Sequence, residues 1–246
     1  MPPTERDPEF TVVHDRSPSE TLIVGFSEFG LAGLTAVDYL VEHLDLHEQG
    51  HVDVDGYPTI TPFADGKPRH HTRLFSRDDL NISVLVGELF VPRWAAEPLG
   101  DAVLDWTTAE GVGEVIHLTG VPIPHGPDEH RPFYVATPGY RESRLAGADV
   151  TPMGRGFLDG VGGALMTQAM VSDLEVAVYL TPVHERVPDA DAALRLLSAV
   201  EETHELGVDT GPLEEFATNV GQYYEELASR LQKASDEDHP EDRMFM

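Results

Sequence analysis

The stretch TLIVGFSEFGLAGLTAVDYLVEHL, Thr21 to Leu44, decides the fold. Its first six residues form a short apolar, β-branched run with a glycine near its end, the pattern of a strand buried on both faces. After the glycine-rich turn, Leu34, Val37, Leu40, Val41 and Leu44 recur at helical spacing. Strand, tight turn and amphipathic helix make the opening half of a parallel crossover unit. The same alternation recurs downstream. Asn81–Leu89, Gly113–Val121 and Leu174–Leu180 read as three more buried strands. The residues around Leu99, Val103, Leu104 and Trp106 read as an amphipathic helix. Val187–Leu206 opens another, with Pro188 limiting its N-terminus and Asp189 placed to cap it. Leu213–Gln232 is a last amphipathic helix. Strands alternating with helices predict an α/β layer fold with a largely parallel sheet.

Between the first two units, Asp65-Gly66 carries the turn chemistry of a hairpin, predicting an insertion near residues 57–76. Pro122–Ala148 is rich in Pro, Gly and charge and reads as irregular, with one short strand near Phe133–Ala136. The expected organisation is an N-terminal extension over 1–20, one α/β domain over 21–234, and a disordered acidic tail over 235–246.

Charge narrows the function. Asp and Glu number 44 against 16 Lys and Arg, a formal net charge of -28, and only Lys67 and Lys233 are lysines. An acidic, lysine-poor surface of this kind fits a cytoplasm of molar salt, where counterions screen its self-repulsion. It lacks the Lys and Arg clusters that nucleic-acid phosphates require. The absence of cysteine excludes disulfides, thiol nucleophiles and thiolate metal sites. MPPTERDPEF has neither the basic nor the apolar region of a signal peptide, and no apolar run is long enough to span a bilayer. A cytoplasmic protein without membrane or nucleic-acid partners is expected.

The motifs with chemical potential read more simply as structure. GFSEFGLAG, with Gly25, Gly30 and Gly33, sits where a phosphate could meet a helix N-terminus, but Leu31 and Ala32 stand where a P-loop needs Lys and Ser/Thr. A tight turn with close helix–sheet packing is the preferred reading, and a ligand turn the alternative. HEQGH, His47 to His51, matches H-E-x-x-H in form; Gly50 is expected to end the helix and swing His51 away, so no zinc site is expected. His70, His71, His125, His130 and Asp149 read as solvated loop residues rather than ligands. The glycines from Gly154 to Gly163 read as a packing surface, with a subunit interface as one place for it. No catalytic constellation and no cofactor site is read from the sequence.

Several of these stretches together resemble the proteasome-assembly-chaperone family, over about Thr21 to Ala217. Gly25, Phe26, Gly30, Leu31 and Gly33 are similar to its opening G-F-x-x-x-G-L-x-G turn; Tyr57-Pro58 and Asp65-Gly66-x-Pro68 follow in order. Asp105-Trp106, Gly111-Val112 and EVIHLTG resemble its central signature. Gly154, Gly156, Gly160 and Gly163 resemble its later glycine segment, with Phe157 at a usually aliphatic position. PDADAALRLL and LGVDTGPLEEFA resemble its closing helices. The resemblance implies a three-layer α/β domain similar in topology to purine nucleoside phosphorylases, no catalytic centre, and homo-oligomers. It also implies a partner, the α subunits of the proteasome core, engaged through a C-terminal hydrophobic–tyrosine–any motif. Met244, Phe245 and Met246 resemble that motif with Phe in place of Tyr. An acidic tether ending in an aromatic anchor and a free carboxylate suits capture in a pocket. The rival reading is a small-ligand, nucleoside-type enzyme or binding protein with its site at the C-terminal strand ends, between Gly25–Gly33 and the Gly120–His130 loop.

Overall fold

The structure, a computed structural model of the 246-residue chain, describes residues 8–57, 60–123, 126, 129–184 and 188–218. The chain divides into two units, Met1–Val208 and Asp209–Met246.

The four apolar runs become the centre of the first unit's sheet. Strand β2 (Thr21–Phe26) is buried at all six positions, and so is β7 (Ile82–Gly87). They lie parallel to each other and to β8 (Glu114–Val121) and β11 (Glu175–Pro182), in the order β7-β2-β8-β11. The chain leaves β2 through Gly30 and Leu31, both left-handed, and enters α1 (Ala32–His43). Helix α2 (Arg93–Glu110), which carries Pro98 in its interior, ends on a left-handed Gly111. Helix α4 spans Gly160–Ala169 and α5 spans Ala190–His204. The Asp189 carboxylate accepts from Ala192 N at 2.9 Å, the cap that the sequence predicts for α5.

The helices form the outer layers. α1 packs on β2, β7 and β8 and against α5; α2 packs against α4, and α4 lies on β11. Leu22, Val24 and Phe26 of β2 join Leu99, Val103 and Trp106 of α2 and Leu165 of α4 in one core cluster. The result is three layers around a nine-stranded sheet.

The flanks depart from a parallel sheet. β3 (His47–Asp55) and β6 (Thr72–Ser76) pair antiparallel with each other, and β6 pairs antiparallel with β7. The opposite edge is completed by β9 (Phe133–Ala136), antiparallel to β11, and by β10 (Thr151–Pro152). A short helix α3 (Pro138–Ser143) interrupts the region read as irregular. The expected N-terminal extension is partly sheet: β1 (Glu9–His14) pairs antiparallel with β3, placing Phe10 and Val12 against the core cluster. The insertion contains a two-stranded hairpin, β4 (Phe63–Ala64) and β5 (Lys67–Pro68), joined through Asp65 (φ 50) and Gly66 (φ 74). The paired left-handed residues are those a twisted two-residue hairpin turn demands.

One expectation is overturned. Gly50 does not end a helix: α1 is complete at His43, and the whole of HEQGH lies in β3. Asp45, left-handed at φ 49, turns the chain out of the helix five residues earlier. Gly50 instead sits at a shift of register with β6, where a Cβ would fall 2.3 Å from the Val13 carbonyl oxygen.

In the second unit, Thr210 opens a helical turn over 211–218. Its carbonyl accepts from Leu213 N and Glu214 N, and its hydroxyl donates to Glu214 Oε1 at 2.8 Å. The remainder of the expected Leu213–Gln232 helix lies outside the described residues, as does the tail over 235–246.

Candidate functional site

At the carboxyl ends of the parallel strands, the turn after β2 and the N-terminus of α4 enclose a cleft of about 180 Å³. Strand order reverses here: the chain runs from β2 outward to β7, then crosses back to place β8 on the other side of β2. Such crevices are where open α/β sheets place ligands. Phe29, Phe90 and Phe157 stand exposed around the rim. His117, Thr119 and Val178 line its floor, and Gly160 and Gly162 of α4 form a wall.

Strand parity produces the polar floor. In β8, Val115, His117 and Thr119 point to the α2/α4 side of the sheet, while Ile116 and Leu118 point to the α1 side. His117 is therefore inserted into an apolar layer with 1% of its surface exposed. Phe26 meets its ring edge-on at 5.9 Å. Gly162 allows the close approach of α4, since a Cβ there would lie 2.9 Å from His117 Nδ1. Glu28 reaches in from the turn. Its Oε2 accepts from the Thr119 hydroxyl at 2.5 Å and lies 3.3 Å from His117 Nε2. That separation is within ion-pair reach, but neither imidazole nitrogen has an aligned hydrogen-bond partner. Burial pushes the Glu28 carboxyl up, yet the adjacent imidazole and the Thr119 hydroxyl outweigh it and hold the pKa below the ordinary carboxylate value. The cleft thus presents a fixed carboxylate and an under-satisfied imidazole beneath an aromatic rim. At the mouth, Arg93 pairs with Asp159, the residue that precedes α4. Asp159 makes no side-chain cap to the helix.

The glycines singled out in the sequence hold this frame together. A Cβ on Gly25 would fall 2.3 Å from the Gly33 carbonyl oxygen, and one on Gly33 would fall 1.9 Å from that of Leu118. Turn, helix and strand therefore touch backbone to backbone at Gly25 and Gly33, while Glu28 and Phe29 between them face the cleft. Gly30, at φ 65, would drive a Cβ to 2.9 Å from Val183. The polar residues that do line the cleft were not among the sequence candidates, although Glu28 lies inside GFSEFGLAG and His117 inside EVIHLTG. The available signal was a titratable residue within an otherwise apolar strand run. Met244, Phe245 and Met246 lie outside the described residues, and so does His125.

These features define a three-layer α/β protein with a polar-floored cleft at the switch point of its sheet. The chain belongs to the PAC2 family, whose model matches residues 22–228. No curated protein matches the sequence. Among solved structures, it is similar to Pyrococcus furiosus PbaA, described as an archaeal homolog of proteasome-assembly chaperone, with a TM-score of 0.81 at 20% identity over 93% of this chain and 95% of that one. It is similar to Pyrococcus furiosus PbaB, described as an archaeal proteasome activator, with a TM-score of 0.76 at 22% identity over 89% and 99% of the two chains. A Thermoplasma acidophilum protein of unknown function gives 0.71 at 22% identity over 91% and 90%.

Proposed function

We propose that this chain is a non-catalytic proteasome assembly chaperone or adaptor that engages the α-ring of the core particle. The observation that carries the reading is membership of the PAC2 family over residues 22–228. PbaA, an archaeal homolog of proteasome-assembly chaperone, and PbaB, an archaeal proteasome activator, share the fold and support the same reading. In this reading Met244, Phe245 and Met246 enter pockets between α subunits, with Phe245 as the anchor and the terminal carboxylate as the charged contact. A single short tail binds weakly because it must be ordered on docking. A homo-oligomer presenting several tails gains avidity of about a hundredfold or more when the spacing matches. Exposed Phe29, Phe90, Trp94 and Phe157 give the folded body an apolar surface of its own for a second copy or for the ring. Among the described residues no helix is long and apolar enough to cross a membrane. The acidic composition is read as adaptation to a cytoplasm of molar salt.

The test is co-sedimentation with the cognate proteasome core in molar KCl, comparing the full chain with one lacking Met244–Met246. Binding lost with the tail supports docking through Phe245. Binding that survives moves the contact to the body, and no binding by either form overturns the proposal.

A second reading, a small-ligand binding protein on the same fold, is favoured by one observation: the buried His117 imidazole paired with the half-buried Glu28 at the floor of the cleft. Thermal-shift measurements with nucleosides and inorganic phosphate separate the two, since a chaperone surface is insensitive to them.

A further inference from the structure

We propose that His51, Asp53 and His70 form a binding site for one divalent transition-metal ion, with Zn²⁺ the ion their donor set suits. Bound there, the ion fastens the hairpin-bearing insertion to strand β3 of the sheet. This inference is independent of the proteasome reading.

The site exists because HEQGH is strand. In β3, His51 and Asp53 are two residues apart and share a face, while Val52 between them points into the core cluster beneath α2. On the neighbouring strand, Arg73 is the register partner of His51. His70 arrives from the returning limb of the insertion, two residues before β6 begins. A residue from the sheet proper and one from the insertion are thereby brought together.

The distances are close to those of a loaded site. His51 Nε2 lies 3.3 Å from Asp53 Oδ1, and His70 Nδ1 lies 4.0 Å from the same oxygen. All three donor atoms fall within 4.8 Å of one another. Ligands bonded at about 2.0–2.2 Å to a tetrahedral Zn²⁺ are separated by roughly 3.4 Å, so closure requires small movements. The imidazoles of His51 and His70 are stacked, with centroids 3.5 Å apart and planes inclined by 16°. Stacked rings cannot aim two lone pairs at one ion, so one ring must tilt. His70, half-exposed on the insertion, has room to do so; His51 is held by its strand.

Electrostatics and donor chemistry select the ion. The nearby guanidinium groups do not compete for Asp53, because Arg69 and Arg73 both pair with Glu88 Oε1, at 2.8 and 2.6 Å. Two nitrogens and one carboxylate suit Zn²⁺, Ni²⁺ or Cu²⁺; Mg²⁺ and Ca²⁺ favour all-oxygen shells. Three protein ligands leave a position for water, which is sufficient for a cross-link between two segments.

The experiment uses the full chain, stripped with EDTA and exchanged into metal-free molar KCl, which suppresses loose binding of cations to the acidic surface. Zn²⁺ is titrated by calorimetry at pH 7.5. The expected result is one saturable equivalent, weakened at least about tenfold in Asp53→Asn and in His70→Ala. His47→Ala, at an exposed position outside the cluster on the same strand, leaves it unchanged. Both cluster positions are exposed, so circular dichroism is expected to report intact variants. Zn²⁺ also slows tryptic cleavage after Arg69 in the parent chain and not in His70→Ala. Absence of saturable binding, or binding equal in the parent and both cluster variants, overturns the site. Saturable binding without protection of Arg69 overturns the fastening role.

Discussion

His204 Nε2 lies 2.6 Å from Glu114 Oε1, joining the last turn of α5 to the first residue of β8. Arg144 Nε donates to the other oxygen at 2.9 Å, and Thr21 Oγ1 lies 3.4 Å from the first. Glu114 is 6% exposed, so this is a buried carboxylate contacted by the Thr21 hydroxyl of β2, by His204 at the end of α5 and by the Arg144 guanidinium that follows α3. Removing the carboxylate while leaving the imidazole and guanidinium in place is expected to destabilise the fold. Glu114→Ala should cost about 3 kcal/mol in urea denaturation at pH 7.

The same carboxylate sets an acid limit. Burial raises the Glu114 pKa, but His204 and Arg144 outweigh burial and leave it lowered in the folded chain. A depressed folded pKa means the contribution is complete above the unfolded value, about 4.3, and is lost as pH falls through the folded one. The urea midpoint of the parent chain should therefore fall more steeply below about pH 4 than that of Glu114→Gln. Parallel acid limbs in the two proteins would remove Glu114 from the explanation.

Gly33 and Gly66 predict opposite severities for one substitution. A methyl on Gly33 meets the Leu118 carbonyl oxygen at 1.9 Å, in a layer where neither backbone can move without breaking the sheet. Gly66 has φ 74 and nothing within 4 Å of the added carbon. Gly33→Ala should cost at least about 3 kcal/mol through overpacking. Gly66→Ala should cost about 1 kcal/mol through its left-handed backbone alone. Thermal denaturation of the pair checks the ordering.

That contrast shows which parts of the molecule the sequence reveals. The four central strands were legible because strands covered on both faces are continuous apolar runs, as in TLIVGF and ISVLVG. β3 was not, because HEQGHVDVD is covered on one face only, and its charged positions mimic a solvated helix end. β1 is hidden for the same reason: Phe10 and Val12 alternate with exposed residues in a segment that reads as an extension outside the domain. The cleft was half legible. GFSEFGLAG announced a special turn, but its glycines serve backbone contact and Glu28 between them carries the charge. His117 joins Glu28 only because β8 lies next to β2, a pairing no local pattern encodes.

In the cleft, the Glu28 carboxyl stays below its ordinary value because His117 and Thr119 offset burial. His117→Leu removes the imidazole and keeps the site apolar. Burial then dominates, and the Glu28 pKa should rise above the ordinary carboxylate value in a carbon-detected NMR titration. An unchanged titration would mean that the 3.3 Å contact does not persist in solution.

Asp38 on α1 gives a prediction of the opposite sign. Burial raises its pKa from 3.8 to about 6; Arg73 and Arg69 pull it down, and Glu88 and Glu42 push it up. A carboxyl whose folded pKa lies above its unfolded one binds its proton more tightly in the native state. Its contribution is therefore favourable below about pH 4 and is lost as pH rises through about 6, leaving a buried charge near neutrality. Asp38→Asn keeps the shape without that charge, so it should stabilise the fold at pH 8 by about 1 kcal/mol once partial solvent access is allowed for. The gain should vanish near pH 4, where the aspartate is itself neutral in the native state. Paired thermal scans at the two pH values decide the matter: a gain of equal size at both would assign it to asparagine's packing rather than to the removed charge, and no gain at pH 8 would mean that Arg73 already compensates Asp38 fully.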